Sequence, residues 1–136
     1  LIMADLDRFK TTNDRYGHVA GDRVIVESVA GVVSAVRDDD LVGRVGGDEF
    51  MVCLRGISSH LMVEAVAQRM CAAVREAAEA SDDDHGPVSI SLGIALYPQD
   101  GVTYEELYRK ADKALYCAKR AGGGTYAFYR DEPAAS

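Results

Sequence analysis

At residues 44–52 the chain reads RVGGDEFMV, and this stretch predicts a β-hairpin. Two apolar segments, residues 40–45 and 49–54, flank Gly46 and Gly47, a pair that closes tight turns between antiparallel strands. Asp48 and Glu49 follow the turn directly. A tight turn needs no acid, so two adjacent carboxylates at the tip of a hairpin indicate a role beyond folding.

The composition is that of a single folded domain. Of the 136 residues, 48% are hydrophobic and 27% are charged, which is enough apolar surface for a core. The net charge of −7 and the pI of about 4.9 argue against a general nucleic-acid or anionic-membrane surface, since such surfaces carry a basic face. A small polyphosphate remains a possible ligand if a metal ion offsets the repulsion.

The start of the chain and its cysteines indicate the cellular compartment of the protein. No apolar run is long enough to span a bilayer, and the first residues do not show the charged and then apolar pattern of a signal peptide. The first residues are already strand-like, so we expect a fragment of a longer, cytoplasmic protein, which other regions could tether to a membrane. Cys53, Cys71 and Cys117 are widely spaced in apolar segments and are expected to be buried free thiols in a reducing compartment.

Strand and helix patterns alternate around the hairpin. Apolar residues at helical spacing predict helices over residues 19–38, 58–80 and 103–124, and Val33 is expected to widen the apolar stripe of the first. Ser58 or Ser59, and Thr103 with Glu106 three residues on, are the expected N-caps. Strands are predicted at residues 1–6 and 88–98 and at a C-terminal edge, 125–129, with a loop at 81–87.

This order predicts the topology and one consequence of it. A β-α-β-β-α-β order with an extra helix and strand indicates an α+β, ferredoxin-like sheet, mostly antiparallel and flanked by helices. The second hairpin strand then lies antiparallel to the first strand, so Asp5 meets Asp48. Three acids, Asp5, Asp48 and Glu49, should converge at one edge of the sheet, with Asp7 close by.

Clustered carboxylates repel one another, so they either raise their pKa values or hold a cation. Oxygen ligands of this kind favour Mg²⁺ or Mn²⁺. An Asp-x-Asp sequence alone is more often a solvated strand end, and the proximity of the hairpin acids is what favours a metal site.

Four blocks of sequence, taken together, resemble one known family. Residues 46–50 spell GGDEF, and residues 5–22, DLDRFKTTNDRYGHVAGD, are similar to that family's D-x-D-x-F-K-x-x-N-D-x-x-G-H-x-x-G-D signature. Residues 89–95 and 111–119, SISLGIA and ADKALYCAK, resemble its later blocks. The chain thus resembles the GGDEF family, the diguanylate cyclases. The resemblance implies a palm-type, nucleotide cyclase-like domain over residues 1–130, truncated at its N-terminus, and a polar tail at 131–136.

The resemblance also implies a reaction. The family condenses two GTP molecules into cyclic di-GMP with release of pyrophosphate, across two half-sites that meet in a homodimer. It uses two divalent ions per half-site, Mg²⁺ or Mn²⁺. By resemblance the metal ligands are Asp5, the Leu6 carbonyl, Asp48 and Glu49, of which Asp48 and Glu49 are the catalytic acids. A sensory or regulatory domain is expected elsewhere in the parent chain.

The substrate-binding residues follow from the same blocks. The backbone amides around Arg8 and Phe9 would hold phosphates, as amides at a helix start can, while Lys10 and Lys119 add positive charge.

Asn13 and Asp22 match the guanine-reading positions. A carboxylate accepts from guanine N1–H and N2–H, a pattern that adenine lacks. Asn13 as a helix cap or turn and Asp22 as an N-cap are the alternatives.

An R-x-x-D motif, Arg37 to Asp40, precedes Gly46 at the spacing of the family's inhibitory site for cyclic di-GMP, and Arg44 matches a further arginine there. The alternative is a solvated helix end. His18 is expected to be a packed loop residue, and Met70, Tyr108 and Tyr116 to be core residues.

One departure affects the expected activity. Gly123 stands where the family usually has an arginine, so a phosphate contact is missing unless Arg120 replaces it. The alternatives to an active cyclase are therefore a weak or inactive module that binds GTP or cyclic di-GMP to regulate a partner domain, and a dimerisation module with inert acids.

Overall fold

The computed structural model describes residues 1–81 and 85–129. Its nine elements in chain order are β1 Ile2–Leu6, α1 Phe9–Tyr16, α2 His18–Ala35, β2 Leu41–Gly46, β3 Glu49–Cys53, α3 His60–Glu79, β4 Ile90–Ile94, α4 Tyr104–Arg120 and β5 Tyr126–Phe128. The predicted tail at 131–136 lies outside the described residues, as do residues 82–84 of the predicted loop.

The sheet has the predicted ferredoxin-like order. Its five strands lie in the order β2-β3-β1-β4-β5, and every pairing is antiparallel except that of β4 with the edge strand β5. The prediction of an α+β fold with a mostly antiparallel sheet is therefore confirmed, as are the hairpin β2–β3 and the C-terminal edge strand.

Helices cover both faces of this sheet because alternate residues of each strand point to opposite sides. On one face, α2 and α3 bury Ile2, Ala4 and Leu6 of β1 in the main core. On the other face, α4 packs on Met3. Gly93 of β4 permits the close approach of α4, since a Cβ atom there would overlap the backbone of Ala111 and Leu115.

The helices differ from the sequence prediction at two ends and by one added helix. The helices predicted to end at residues 38 and 124 end at Ala35 and Arg120. Residues 9–16 form a separate helix, α1, which the apolar spacing did not indicate, and Gly17 with φ of 90° separates it from α2. The predicted N-caps Ser59 and Thr103 are confirmed, since each side chain accepts a hydrogen bond from the backbone N–H three residues on.

Several expected core positions were wrong. Val33, Tyr116 and Cys117 are exposed, because their faces of α2 and α4 point away from the sheet. Cys53 is only partly buried, whereas Cys71 and Met70 are in the core and Tyr108 packs beside Met3. His18, expected to pack in a loop, is the exposed first residue of α2. Within the described residues, no helix is both long and apolar enough to cross a membrane.

Candidate active site at the β1–β3 edge

The acids of β1 and β3 meet as the topology predicted. The antiparallel register pairs Asp5 directly with Glu49, and the Leu6 N–H donates a hydrogen bond to the Asp48 carbonyl at 3.1 Å. Glu49 and Met51 occupy alternate positions of β3, on the strand side opposite to buried Phe50 and Val52, and so share the face that α4 covers. The strand register thus brings Asp5, Asp48 and Glu49 to one edge of the sheet, as predicted, while their roles remain predictions.

Asp5 is the electrostatically strained member of the group. Its pKa is raised from 3.8 to about 7, chiefly by burial and then by the neighbouring Asp48 carboxylate, while Lys119 acts in the opposite direction. Its Oδ1 atom is buried without a hydrogen-bond partner among the described residues. A buried carboxylate oxygen without a donor is what a cation would satisfy.

Lys119, from the last turn of α4, supplies positive charge to this cluster. Its Nζ atom donates to the Leu6 carbonyl at 3.2 Å and lies 3.5 Å from Asp5 Oδ2 and 3.2 Å from Asp7 Oδ1. The ammonium group thus lies among the oxygens that the sequence assigned to metal ions.

Asp7 has a different environment, which the sequence did not reveal. Ser89 Oγ and Ser91 Oγ each donate to it at 2.6 Å, and the Gly124 N–H donates at 2.7 Å. Burial raises the pKa of Asp7, but these three donors and Lys119 outweigh it, so the net pKa is lowered. Ser89 and Ser91 alternate on β4, and that spacing beside an Asp-x-Asp strand was the available signal. Asp7 fastens β1 to β4 and to the glycine turn after α4.

The donor set fits divalent metal ions in its chemistry. Among the described residues, no three Asp, Glu, His or Cys side chains already converge as a group able to hold an ion. The unpartnered Asp5 Oδ1 atom and the ammonium that stands among these oxygens nevertheless indicate a place for a cation bound by hard oxygen ligands.

The turn from β1 into α1 is strained at Arg8. This residue is the N-cap of α1 with φ of 55° and ψ of 33°, a left-handed conformation that is uncommon outside glycine. Its side chain makes no capping hydrogen bond, so the amides of the first turn of α1 are not capped from it. Phe9 packs on the core, while Arg8 and Lys10 are exposed.

The predicted guanine-reading residues lie where α1 meets α2. The Asn13 Oδ1 atom is buried without a partner among the described residues. A Cβ atom at Gly21 would overlap that oxygen, so a larger residue there would displace the Asn13 side chain. Asp22, the next residue, is exposed and lines a shallow depression with Val19 and Val26.

Sequence comparison decides the family. The family model described as "Diguanylate cyclase, GGDEF domain" matches residues 1–125. This chain belongs to the GGDEF family.

Relatives of this GGDEF domain are longer than the chain. Diguanylate cyclase TpbB of Pseudomonas aeruginosa is 39% identical over 125 residues, which cover 92% of this chain and 29% of TpbB. Cyclic di-GMP phosphodiesterase PdeR of Escherichia coli K12 is 35% identical over 132 residues, covering 97% of this chain and 20% of PdeR. The chain therefore spans less than a third of either relative.

The crystal structure of the GGDEF domain of TpbB is similar to the whole domain described here. It superposes with a TM-score of 0.87 at 36% identity, covering 96% of this chain and 81% of that one. The α+β, palm-like fold is confirmed by this likeness.

The R-x-x-D residues of this GGDEF domain lie in the turn between α2 and β2 rather than at a helix end. Asp40 is 9% exposed, and its two oxygens accept from the backbone N–H groups of Arg37 at 2.9 Å and Arg55 at 3.0 Å. Arg37 Nη2 donates to the Arg55 carbonyl at 2.9 Å. Arg44 braces the Gly46-Gly47 turn by donating to the Gly47 carbonyl through Nε and Nη2. Arg37 and Arg44 are exposed, whereas Asp40 organises the turn that presents them.

The glycine turn after α4 explains why residue 123 is glycine, where the family usually has an arginine. Gly123 has φ of 76°, and a Cβ atom there would lie 2.9 Å from Asp7 Cγ. Arg120 lies over the Tyr116 ring, 5.8 Å from its centroid, on the exposed face of α4. That face is not the one that carries Lys119 to the acids.

Proposed function

We propose that this GGDEF domain is a diguanylate cyclase, which joins two GTP molecules into cyclic di-GMP and releases two pyrophosphates. The observation that carries the proposal is the pairing of Asp5 with Glu49 beside Asp48, next to the open first turn of α1. One domain offers one such set of groups. Two GTP molecules therefore require two domains facing each other, and a homodimer is part of the proposal.

Two divalent ions, Mg²⁺ or Mn²⁺, would be held by Asp5, the Leu6 carbonyl, Asp48 and Glu49. When bound, such ions neutralise developing charge on the phosphates and lower the pKa of an attacking hydroxyl. For this set to ligate, Asp5 must lose the proton that its raised pKa retains, and the Lys119 ammonium must leave the Leu6 carbonyl. Lys119 then lies within reach of the phosphates, where its positive charge stabilises the leaving pyrophosphate.

The other residues orient the substrate. The amides of the first turn of α1 donate to phosphate oxygens, and the helix dipole adds to their attraction. Asn13 and Asp22 bind the guanine edge, for which the unpartnered Asn13 Oδ1 atom is available as an acceptor. Each 3′-hydroxyl attacks the α-phosphorus of the GTP in the facing domain, loses its proton near Asp48, and displaces pyrophosphate.

Control by product is the remaining part of the proposal. Cyclic di-GMP would bind at Arg37, Asp40 and Arg44, where exposed guanidinium groups suit phosphate and guanine. The site lies on the β2 side of the hairpin, so cyclic di-GMP bound there would restrain the approach of two half-sites without covering the acids.

The experiment is incubation of the full-length protein with GTP and Mg²⁺, with cyclic di-GMP measured by chromatography. Glu49→Gln should abolish the product while the unfolding midpoint stays within a few degrees. Retained turnover in that variant would remove Glu49 from the machinery.

A second candidate function is a regulatory module that binds GTP or cyclic di-GMP without turnover. The similarity to the phosphodiesterase PdeR and the glycine at position 123 favour it. Binding of GTP by calorimetry without any cyclic di-GMP in the incubation would select this candidate over the cyclase.

A further inference from the structure

Asp7 lies beside the candidate site but has no part in the proposed reaction. Its side chain is 11% exposed, and its Oδ1 atom lies 3.2 Å from the Lys119 ammonium. The ammonium also contacts Asp5 and the Leu6 carbonyl, and both of these belong to the proposed ligand set for the metal ions. Of these three contacts within the described part of the chain, Asp7 is the one that the ions do not require.

The Asp7 carboxylate is held in one orientation, because each of its oxygens has two partners. Oδ1 accepts from Ser91 Oγ at 2.6 Å and faces the Lys119 ammonium. Oδ2 accepts from Ser89 Oγ at 2.6 Å and from the Gly124 N–H at 2.7 Å. Ser91 is fully buried, so its hydroxyl depends on this acceptor. The negative charge beside Lys119 thus has a fixed position.

Asp7 restrains Lys119 at both ends of its side chain. Through Gly124 it holds the turn that follows α4, and the Gly123 N–H in that turn donates to the Ala118 carbonyl at 3.1 Å. The backbone of Lys119 lies in the last turn of α4 and is fixed from this side, while Oδ1 of Asp7 faces the ammonium. A lysine side chain loses much conformational freedom when it is placed at a reacting group, so restraints already present in the fold reduce the entropy lost during the reaction.

We propose that Asp7 is a positioning residue of the cyclase reaction, which keeps the Lys119 ammonium beside the leaving pyrophosphate once its other contacts have turned to the metal ions. The inference rests on the proposed function, since it takes Lys119 to stabilise that pyrophosphate. In this role Asp7 touches neither ion nor substrate. Its loss should therefore act through Lys119, whereas a role in joining β1 to β4 alone would act without regard to Lys119.

The test is a double-mutant cycle on kcat in the full-length protein with GTP and Mg²⁺, using Asp7→Asn, Lys119→Gln and the double variant. We expect Asp7→Asn to lower kcat about tenfold and to change KM less than about twofold, as for the loss of one charged hydrogen bond in the transition state. In the Lys119→Gln background the same change should lower kcat less than about twofold, because residues that act as a unit are not additive. Glu76→Gln, at an exposed acid of α3, also removes one negative charge and is the matched control, which should leave kcat unchanged.

Two kinetic outcomes would contradict the inference. Equal losses of kcat in both backgrounds would overturn it, since Asp7 would then act on the fold alone. Tighter binding of inorganic pyrophosphate by Asp7→Asn in calorimetry, with unchanged kcat, would overturn it as well, since Asp7 would then only neutralise Lys119. If Asp7→Asn does not fold, Ser91→Ala, which frees the Asp7 oxygen that faces the ammonium, takes its place in the cycle, with an expected loss of about threefold.

A second measurement observes Lys119 directly and needs no turnover. In EDTA, NMR of the ammonium groups of isotope-labelled lysine should show a slowly exchanging Lys119 signal in the wild type, identified by its absence from Lys119→Gln. Asp7→Asn should remove this signal, and its persistence there would overturn the hold of Asp7 on Lys119. A wild type that shows the signal but makes no cyclic di-GMP would overturn the proposed function, whereas an active wild type with additive losses would overturn only the role of Asp7.

Discussion

Replacing Asp5 by asparagine separates the effect of the acid cluster on stability from its effect on activity. In the metal-free protein the carboxylate is half-buried beside Asp48, and its pKa is raised from 3.8 to about 7. At about 1.4 kcal/mol per pKa unit, this shift corresponds to at most roughly 4 kcal/mol lost from the free energy of unfolding at pH 8. Asparagine has nearly the same shape and no charge to desolvate, so it escapes this loss.

The expected gain in the free energy of unfolding is smaller than this upper bound for two reasons. In the variant, Lys119 loses a charged partner that lies 3.5 Å away in the wild type. In the wild type, a shift of the Asp48 side chain relieves part of the repulsion. We expect Asp5→Asn to be more stable by about 1–3 kcal/mol at pH 8 in EDTA, a rise in Tm of several degrees. The sign follows from the raised pKa. Between 3.8 and about 7 the unfolded wild type holds fewer protons than the folded one, so wild-type stability falls as the pH rises through this window.

The assay is thermal unfolding of both proteins at pH 4, 6 and 8, with EDTA and then with Mg²⁺. The difference between them should fade toward pH 4, which is close to the ordinary pKa of 3.8, because the folded and unfolded wild type then differ little in the protons that Asp5 holds. Mg²⁺ should stabilise the wild type and not the variant, and the variant should make no cyclic di-GMP. A lower Tm for the variant at pH 8 in EDTA, or a difference independent of pH, would refute the electrostatic reasoning.

Three further predictions test other parts of the domain. Asp22→Ala should reduce the preference for GTP over ATP, because an unpaired guanine N–H costs roughly 1–3 kcal/mol of binding free energy. A preference in calorimetry equal to that of the wild type would contradict the guanine-reading role. Arg37→Ala should weaken the binding of cyclic di-GMP more than tenfold and leave basal turnover unchanged. An unchanged Kd for cyclic di-GMP would show that Arg37 serves only as a donor to the Arg55 carbonyl. Gly93→Ala should lower the free energy of unfolding by about 1–3 kcal/mol or more in denaturant titration, since its Cβ atom meets α4 backbone. Gly43→Ala, where a Cβ atom meets nothing within 4 Å, is the control, and equal losses would show that α4 can shift.

The sequence predicted the sheet because its signals are local and mutually consistent. A two-glycine turn indicates a hairpin, and with its second strand beside β1 the sequence predicted that Asp5 meets Asp48, whereas the register that pairs Asp5 with Glu49 came from the structure. Apolar spacing did not indicate the short helix α1, because most of its residues are polar and Thr12 alone is buried. Tyr116 and Cys117 were misassigned because residue type, rather than position on α4, suggested burial.

Side-chain contacts between distant segments were beyond the reach of the sequence. The alternation of Ser89 and Ser91 is the only hint that these serines, more than eighty positions away, donate to Asp7, and it does not by itself identify their partner. Asp40 is a similar case, since its part in the turn depends on Arg55 at the far end of the hairpin. Contacts of this kind depend on register and on loop conformation, and both emerge only when the chain is packed.

The position of Lys119 has a consequence for the folding and the evolution of the domain. An ammonium group that the chain itself provides lets the acid edge fold before any ion arrives, unlike a zinc finger, whose folding requires its metal. Ion loading then exchanges one cation for others at an edge that is already folded. A duplicated copy that loses Asp5 or Glu49 would keep its architecture while losing its chemistry. Such copies start as intact folded domains, available to selection as binding proteins.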